Sequence, residues 1–351
     1  MNRRGVLGVA SGLALSRASF KLFGQTPVGQ GPQPRLKIGF LGAAYSHASS
    51  KLKLLQRHTD FELTGAWDDD RKVRERVAAM GVAVIPQDEV LSRSQIIAVE
   101  SVVRTHAHLA NVALAAGRHV HLEKPPSLAL QDFSELVQLA REKHLVLQVG
   151  YQYRYSPAFQ AVVEAVRKGW LGQVFMVRAT INKQLVEKRR IEWGEFKGGT
   201  MFELGSHMID AIVRLLGRPT KVTPFLFTHG RFNDALKDNT MAVFEYPDAI
   251  ASILSSTLHL NSDAYRSLEL LGTQGTAVIR PLEPPTLALD LAKAAGPYKV
   301  GMNNLAWPQW EQFVGDFAEL ATAVRGNGQT SVPLDEELAV QEALLLASGM
   351  A

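Results

Sequence analysis

The sequence predicts an α/β fold in two parts: a parallel sheet flanked by helices, then an α+β part with a mainly antiparallel, open sheet. Length supports two domains, since 351 residues exceed one ordinary domain. Between residues 36 and 149, short apolar runs alternate with helical patterns, which is typical of a parallel sheet. The predicted strands are Leu36–Leu41, Phe61–Trp67, Ile96–Val99, His119–Leu122 and Leu145–Val149.

The second half has a different pattern, in which strands follow one another with few helices between them. A helix over Pro157–Lys168, a long strand over Gln173–Gln184 and a helix over Met201–Leu216 come first. The predicted strands that follow are Val222–Thr228, Met241–Tyr246, Ile250–Leu258, Ser267–Leu271 and Thr276–Ile279. This succession predicts a mainly antiparallel sheet. Two helices, Trp310–Arg325 and Asp335–Ser348, end the chain, and we expect them to pack back on the first domain.

The N-terminus resembles a twin-arginine export signal. Arg3 and Arg4 precede a weakly apolar stretch that is too short to span a bilayer. A Gly- and Pro-rich linker follows, so residues 1–34 are predicted as signal and linker, 35–150 as the first domain and 151–351 as the second. A periplasmic or exported protein is expected. The alternative is a disordered basic arm, in which case the protein is cytoplasmic.

Composition excludes several classes of function. The chain has no cysteine, which rules out disulfides, thiolate catalysis and zinc-thiolate sites. Its 38 basic and 34 acidic residues become nearly balanced without the three arginines of residues 1–20. We therefore expect no nucleic-acid partner and no membrane span.

The first motif lies where the first strand enters a helix. Gly42, Ala43, Ala44, Tyr45 and Ser46 form this turn, in the place of the glycine-rich fingerprint of a Rossmann dinucleotide-binding domain. Gly42 keeps the tight turn, whereas Ala44 and His47 replace the later glycines. An ordinary strand-turn-helix is the alternative.

Asp68 ends the second strand, 21 residues after His47, and starts the run Asp68-Asp69-Asp70. A carboxylate there can accept hydrogen bonds from the adenosine ribose hydroxyls, which favours NAD. NADP remains possible because Arg71 could offset the negative charge. The alternative is a solvated helix N-terminus.

The run Glu123-Lys124-Pro125, with Ala115–Val120 before it and Val149–Pro157 after it, resembles the Gfo/Idh/MocA family of sugar and polyol oxidoreductases. The resemblance implies that Lys124 contacts both nicotinamide and substrate. It also implies that Glu123, Gln152 and Arg154 serve the cofactor, as do Ser101 and His106 from an altered turn. A surface lysine before a proline turn is the alternative.

A second match lies in the other domain, at Gly198–Asp210. On a helix, Glu203, His207 and Asp210 share one face beside an apolar stripe. The resemblance makes His207 the catalytic histidine, and Glu203 stands where the family usually has aspartate. Asp210 is assigned to the substrate side. A helix-stabilising Glu-His pair is the alternative, and the ligands are too few for a metal.

Asn182 and Trp193 could face a sugar or could equally be loop surface. The predicted function is an NAD(P)-dependent oxidoreductase acting on a secondary hydroxyl group of a sugar, polyol or glycoside. Lys124 and His207 supply acid–base chemistry and Glu203 orients the substrate or the imidazole. Export favours tightly bound NAD, so the first alternative is an NAD-dependent glycoside hydrolase that oxidises transiently. The second is an inactive dinucleotide- or sugar-binding protein. The partners expected are a small carbohydrate and further copies of the chain, as a dimer or tetramer.

Overall fold

The computed structural model describes residues 33–326 and 328–351. The export signal and most of the linker predicted for residues 1–34 therefore lie outside the described residues. Residues 33 to 35 lead directly into the first strand.

The first sheet has five parallel strands in the order β2-β1-β3-β4-β5. These strands are β1 (Leu36–Leu41), β2 (Phe61–Trp67), β3 (Ile96–Val99), β4 (His119–Leu122) and β5 (Leu147–Val149). The helices between them are α1 (Ala48–Arg57), α2 (Arg71–Ala79), α3 (Gln87–Arg93), α4 (Val103–Ala115) and α5 (Leu130–Glu142). Every residue of β3 and β5 is buried, as expected for parallel strands covered on both faces. Ligands of such sheets bind at the carboxyl ends of the strands, where the predicted motifs lie.

The second sheet has eight strands in the order β13-β12-β11-β10-β6-β9-β8-β7. They are β6 (Val174–Thr180), β7 (Lys221–Phe227), β8 (Asn239–Glu245), β9 (Ile250–Ser256), β10 (Ser267–Gly272), β11 (Gly275–Ile279), β12 (Thr286–Leu291) and β13 (Gly301–Ala306). All neighbours are antiparallel except β6 and β9. The predicted α/β class, with a parallel sheet followed by a mainly antiparallel sheet, is confirmed.

Helices cover one face of the second sheet and link it to the first. After a 3-10 turn at Gln152–Tyr155 come α6 (Pro157–Arg167) and α7 (Glu187–Gly194). A π-helical turn at Met201–Gly205 runs into α8 (Ser206–Leu216). The chain ends with α9 (Val314–Arg325) and α10 (Leu334–Ala347). In α9, Phe317 packs against Phe61 of β2 with ring centres 5.7 Å apart, so the end of the chain completes the core of the first sheet.

Several predicted elements differ from the structure. The strand expected over Gln173–Gln184 ends at Thr180, and the helix expected from Trp310 begins at Val314. The helix expected over Met201–Leu216 is divided, because its first turn is π-helical. Strands β12 and β13 were not predicted from the sequence; prolines 281, 284 and 285 precede β12 and read as a loop.

Candidate active site

The turn from β1 into α1 is built around Gly42. Its φ of +78° lies in the left-handed region, and a Cβ atom there would collide with Ser101. The amide of Gly42 donates to the Trp67 carbonyl at 2.7 Å, which ties the turn to β2. The Ala43 amide donates to Asp68 Oδ2 at 2.7 Å, so the predicted acid holds the turn in place.

A cavity of about 530 Å³ opens beside this turn, at the carboxyl ends of β1 to β3. Among the residues that line it are Gly42, Ala44, Asp68, Asp69 and Ser101. Burial raises the pKa of Asp68, while hydrogen bonds from the backbone amides of Ala43 and Asp70 oppose that shift. A tight glycine turn, a helix N-terminus and an acid at the end of the second strand together fit a dinucleotide.

Lys124 follows the end of β4. The residue is buried, with 4% of its surface exposed. Its Nζ donates to the Tyr45 hydroxyl at 2.8 Å and to the Glu203 carbonyl oxygen at 3.0 Å. The Tyr45 hydroxyl in turn donates to Glu203 Oε2 at 2.9 Å, and Lys124 Nζ is 3.8 Å from the same carboxylate oxygen. The cation, the phenol and the carboxylate thus form one connected cluster between the two domains.

Glu203 and His207 reach this cluster from the segment where the π-helical turn joins α8. π-helical turns inside helices are frequent at functional sites. The Nδ1 atom of His207 is buried without a hydrogen-bond partner among the described residues. Burial and then the charge of Lys124 hold the pKa of His207 well below its usual value, so the ring is neutral at pH 7. Burial also raises the pKa of Glu203, against the opposing charge of Lys124.

Two cavities meet at this cluster. One, of about 580 Å³, runs from Ala44 and Ser46 along α7. The other, of about 350 Å³, has Lys124 and His207 in its wall, together with Gln152, Tyr153, Lys183, Arg266 and Glu283. Tyr45, Glu203 and Trp193 border both cavities. A cofactor in the first cavity and a small polar substrate in the second would therefore meet at Lys124.

A fully buried network of charges lies behind Glu123. Lys51 Nζ donates to Glu123 Oε2 at 2.5 Å and to Glu100 Oε1 at 2.6 Å, and it lies 3.0 Å from His121 Nε2. Burial opposes the charge of Lys51, yet the two carboxylates hold its pKa above the usual value. Burial likewise opposes ionisation of Glu123, but Lys51 and His47 hold its pKa well below the usual value. Glu123 is therefore an ionised carboxylate that fixes the position of its neighbours.

Glu123 and His106 line none of the three cavities described above. Both residues are fully buried. The ring nitrogens of His106 lie 2.8 Å from the Pro125 carbonyl and 3.0 Å from the Ser101 carbonyl. His106 therefore braces the turn after β3 against the turn after β4, and the cofactor contact expected for it stays a prediction.

Arg154 and Asp210 are engaged with each other. Arg154 Nη2 donates to Asp210 Oδ1 at 2.6 Å, and its Nη1 donates to Glu337 Oε1 at 2.6 Å. All three side chains are buried, and none lines a cavity named above. The cofactor contact expected of Arg154 and the substrate contact expected of Asp210 stay predictions. The two residues join the 3-10 turn after β5 to α8 and α10.

The two residues expected to face a sugar are in different places. Trp193 borders both cavities, as expected of a substrate contact. The Asn182 side chain forms a hydrogen bond with His259 Nδ1, and its Oδ1 accepts one from the Ser256 amide at 2.8 Å. It therefore supports the loop beyond β6 and does not line the cavity of about 350 Å³.

The sequence did not single out Lys51, Arg266 or Glu283. Lys51 stands on the amphipathic helix α1, where a lysine normally reads as exposed, and only the paired acids at Glu100 and Glu123 could have signalled its burial. Arg266 and Glu283 reach the cavity from turns next to strands β10 and β12, and no local pattern marks them.

Residues 33–326 and 328–351 contain no group of three or more His, Asp or Glu side chains placed to hold a metal ion. No helix within these ranges is long and apolar enough to cross a membrane.

Comparison with known proteins gives the family. Residues 36–151 match the family described as an oxidoreductase family with an NAD-binding Rossmann fold, and residues 159–278 match the GFO/IDH/MocA C-terminal domain. A Schizosaccharomyces pombe protein, uncharacterized oxidoreductase C26H5.09c, is 32% identical over 181 residues. That alignment covers 49% of this chain and 48% of the relative, so the chain spans about half the length of this curated relative.

Two other likenesses extend over most of the chain. The dTDP-3,4-didehydro-2,6-dideoxy-alpha-D-glucose 3-reductase of Streptomyces violaceoruber is 26% identical, over 84% of this chain and 86% of the relative. A solved structure of levoglucosan dehydrogenase with NADH and levoglucosan has the same fold, with a TM-score of 0.74, 17% identity and coverage of 91% and 98%. On both matched domains, the chain belongs to the Gfo/Idh/MocA family of oxidoreductases, whose first domain is an NAD-binding Rossmann fold.

Proposed function

We propose that the protein oxidises a secondary hydroxyl group of a sugar, polyol or glycoside with NAD as the hydride acceptor. One observation carries the proposal: the Lys124 ammonium group lies between the Tyr45 hydroxyl and Glu203, where the two cavities meet beside the neutral His207. Oxidation of an alcohol needs a proton acceptor and a stabiliser of negative charge on oxygen, and these groups supply both.

The residues that would hold the dinucleotide are those of the β1 turn and its neighbours, namely Gly42, Ala43, Ala44, Tyr45, Ser46, Asp68 and Ser101. When bound, NAD supplies the hydride acceptor. Three consecutive acids, Asp68 to Asp70, border the adenosine side of the cavity and would repel a 2′-phosphate. We therefore propose NAD over NADP.

The protein's own groups divide the proton chemistry. The Lys124 ammonium group polarises the substrate oxygen and stabilises negative charge on it. His207 is neutral at pH 7 and lines the cavity of about 350 Å³, so it can accept the hydroxyl proton. Glu203 acts through the Tyr45 hydroxyl, which fixes the direction of the Lys124 ammonium group.

A carbohydrate substrate is supported by the cavity and by relatives. The cavity of about 350 Å³ is lined by amide, ammonium, guanidinium and carboxylate groups, which suit a small polyhydroxyl compound. The Streptomyces relative is named for a sugar nucleotide and the levoglucosan dehydrogenase for an anhydrosugar.

The test combines binding with turnover. NAD and NADP are titrated calorimetrically, and wild type, Lys124→Ala and His207→Ala are assayed for NADH formation with levoglucosan, glucose, myo-inositol and methyl glucosides. We expect NAD binding in all three proteins and at least a hundredfold loss of turnover in the variants. Turnover close to wild type in both variants would contradict the assigned roles.

A second candidate is cleavage of a glycoside by transient oxidation, with NAD retained between cycles. The twin-arginine-like start at Arg3 and Arg4 favours it, because an exported enzyme would lack a free nicotinamide pool. Native mass spectrometry of the purified protein tests for bound NAD. Sugar release from a nitrophenyl glycoside without net NADH supports cleavage, whereas stoichiometric NADH supports net oxidation.

We further propose export, supported by the same N-terminal pattern. Fusing residues 1–34 to a reporter that is active only outside the cytoplasm tests it. Loss of the exported signal on replacing Arg3 and Arg4 with lysine is expected, and a signal unchanged by that replacement would count against the twin-arginine route.

A homo-oligomer is proposed from the uncovered face of the second sheet. Phe225, Met241 and Leu254 are paired across β7, β8 and β9 and point to the same side, opposite α8. Phe225 is 38% and Leu254 45% exposed. Contiguous apolar surface of this kind marks interaction sites. Light scattering after gel filtration measures the mass, and Leu254→Glu is expected to reduce it to that of one chain.

A further inference from the structure

His47 occupies a position that the proposed hydroxyl oxidation does not use. It lies at the N-terminal end of α1 and borders the substrate cavity together with Lys124 and His207, but not the two cavities assigned to the cofactor. Its side chain is 26% exposed, so a ligand can reach it. Hydroxyl oxidation needs one proton acceptor, and Lys124 with His207 already provides one.

The orientation of the His47 ring is fixed on three sides. Nδ1 lies 3.1 Å from Glu123 Oε1. The ring packs against Phe313 and Tyr45, with ring centres 5.2 and 5.4 Å away. An ionised carboxylate only accepts hydrogen bonds, so the proton of the neutral ring is on Nδ1. Nε2 then carries the free lone pair, and it has no hydrogen-bond partner within residues 33–326 and 328–351.

Glu123 is itself held from behind. The ammonium group of Lys51 donates hydrogen bonds to Glu100, to Glu123 and to the Nε2 atom of His121. His121 Nδ1 lies 2.9 Å from Gln148 Oε1, which leaves its Nε2 free to accept from Lys51. A buried carboxylate that orients an imidazole also stabilises the imidazolium formed when Nε2 takes a proton. The arrangement is that of a general base on a residue that lines the proposed substrate cavity.

We propose that His47 is a catalytic acid–base residue that removes and returns a proton at a substrate carbon atom next to a carbonyl group. The inference rests on the proposed function, since oxidation of a secondary hydroxyl group produces such a carbonyl. The C–H bond breaks, its proton goes to His47 Nε2, and its electron pair forms the enolate. The enolate oxygen is stabilised by the Lys124 ammonium group, which shares contacts with Tyr45. Return of the proton restores the ketone, so the step has no net oxidation.

This step would extend the chemistry of the site. A substituent on the carbon next to the enolate can leave as the enolate collapses, and a nucleophile can add in the reverse direction. The substrate class is then a glycoside or another β-substituted sugar, in agreement with the second candidate function above.

The test uses a ketone directly, so that it does not depend on hydride transfer. The full-length protein is incubated with methyl 3-oxo-α-D-glucopyranoside in D2O at neutral pH. Loss of the proton signals on the carbons beside the carbonyl is followed by NMR. We expect wild-type protein to accelerate this exchange over buffer, and His47→Asn to reduce the protein-dependent rate roughly 100-fold. His229→Asn, at an exposed histidine in the loop after β7, is the matched control and should exchange like wild type.

Two further measurements separate a catalytic role from a structural one. Thermal unfolding and NAD titration show whether His47→Asn is folded. Added imidazole should restore exchange to His47→Ala, which a purely structural role would not allow. Exchange by wild type no faster than by buffer, or by His47→Asn as fast as by wild type, overturns the proposal. The proposed function fails separately, through absence of NAD binding or of NADH formation by wild type.

Discussion

Replacing Arg154 with methionine tests whether this residue stabilises the fold by neutralising two buried carboxylates. Its guanidinium donates to Asp210 and to Glu337, and all three side chains are buried. Methionine keeps much of the volume of the side chain but removes the charge. Asp210 and Glu337 would then face each other as buried carboxylates without a cation. Removing one partner of a buried ion pair costs about 3 to 5 kcal/mol of unfolding free energy.

Thermal unfolding gives the expected size of the effect. With an unfolding entropy of about 2.1 cal/mol/K per residue, a loss of 3 to 5 kcal/mol in a chain of this length lowers Tm by about 4 to 7 °C. Arg178→Met is the matched control, because Arg178 pairs with Glu269 on the second sheet and its side chain is 54% exposed. An exposed pair contributes about 0 to 1 kcal/mol, so the control should shift Tm by less than about 2 °C.

The pH dependence of Arg154→Met gives a second check. Burial raises the pKa of Glu337, and the charge of Arg154 opposes that rise. In Arg154→Met the opposing charge is absent, so the pKa of Glu337 should rise further. A carboxyl whose folded-state pKa lies above its unfolded-state value stabilises the fold at low pH and destabilises it as pH rises. The deficit of Arg154→Met should therefore be larger at pH 8 than at pH 5. A loss below about 1 kcal/mol at pH 8, or a deficit that does not change with pH, would refute this account of the buried pair.

Three other predictions concern the cofactor groove and the cluster at Lys124. Gly42→Ala should weaken NAD binding more than tenfold by calorimetry, because the new Cβ collides with Ser101. Gly81→Ala is the control, because Gly81 also has a positive φ but a Cβ there would come no closer than 4.0 Å to a neighbouring atom. Asp69→Ser should tighten NADP binding about tenfold relative to NAD, since it removes one charge facing a 2′-phosphate; an unchanged NADP affinity would count against the acidic run as the selector. The hydrogen bond from Tyr45 lowers the pKa of Glu203, so Tyr45→Phe should raise that pKa and move the acidic limb of the pH–rate profile to higher pH. A profile that stays in place would show that ionised Glu203 is not required.

The first domain was largely predictable from the sequence because its strands are short apolar runs closed by recognisable turns. All five parallel strands occur where they were predicted, with only β5 shorter. Strands β12 and β13 escaped prediction for the opposite reason. Prolines precede β12, and β13 carries Gly301, Asn303 and Asn304, which are poor strand formers.

The contacts within the candidate active site could be predicted only in part from local sequence patterns. Motifs brought Lys124 and His207 to attention although they are far apart in the chain. The connection of Lys124 to Glu203 through Tyr45 could not be predicted, since it depends on how the first turn approaches a π-helical segment of the second domain. The ion pair between Arg154 and Asp210 was not predicted either, because charge and position alone do not reveal that two side chains neutralise each other.

The packing of the C-terminal helices has a consequence for how the protein is made. Phe317 fills the core of the first sheet, Glu337 pairs with Arg154, and Gln341 of α10 donates to the Ser127 carbonyl at 2.9 Å. The first domain therefore lacks part of its core until nearly the whole chain has been synthesised. At about 5 to 20 residues per second, roughly 10 to 40 s separate translation of β5 from translation of α10. Throughout that interval the nucleotide-binding domain is incomplete on the ribosome, so folding and cofactor loading are completed only after the last helix emerges.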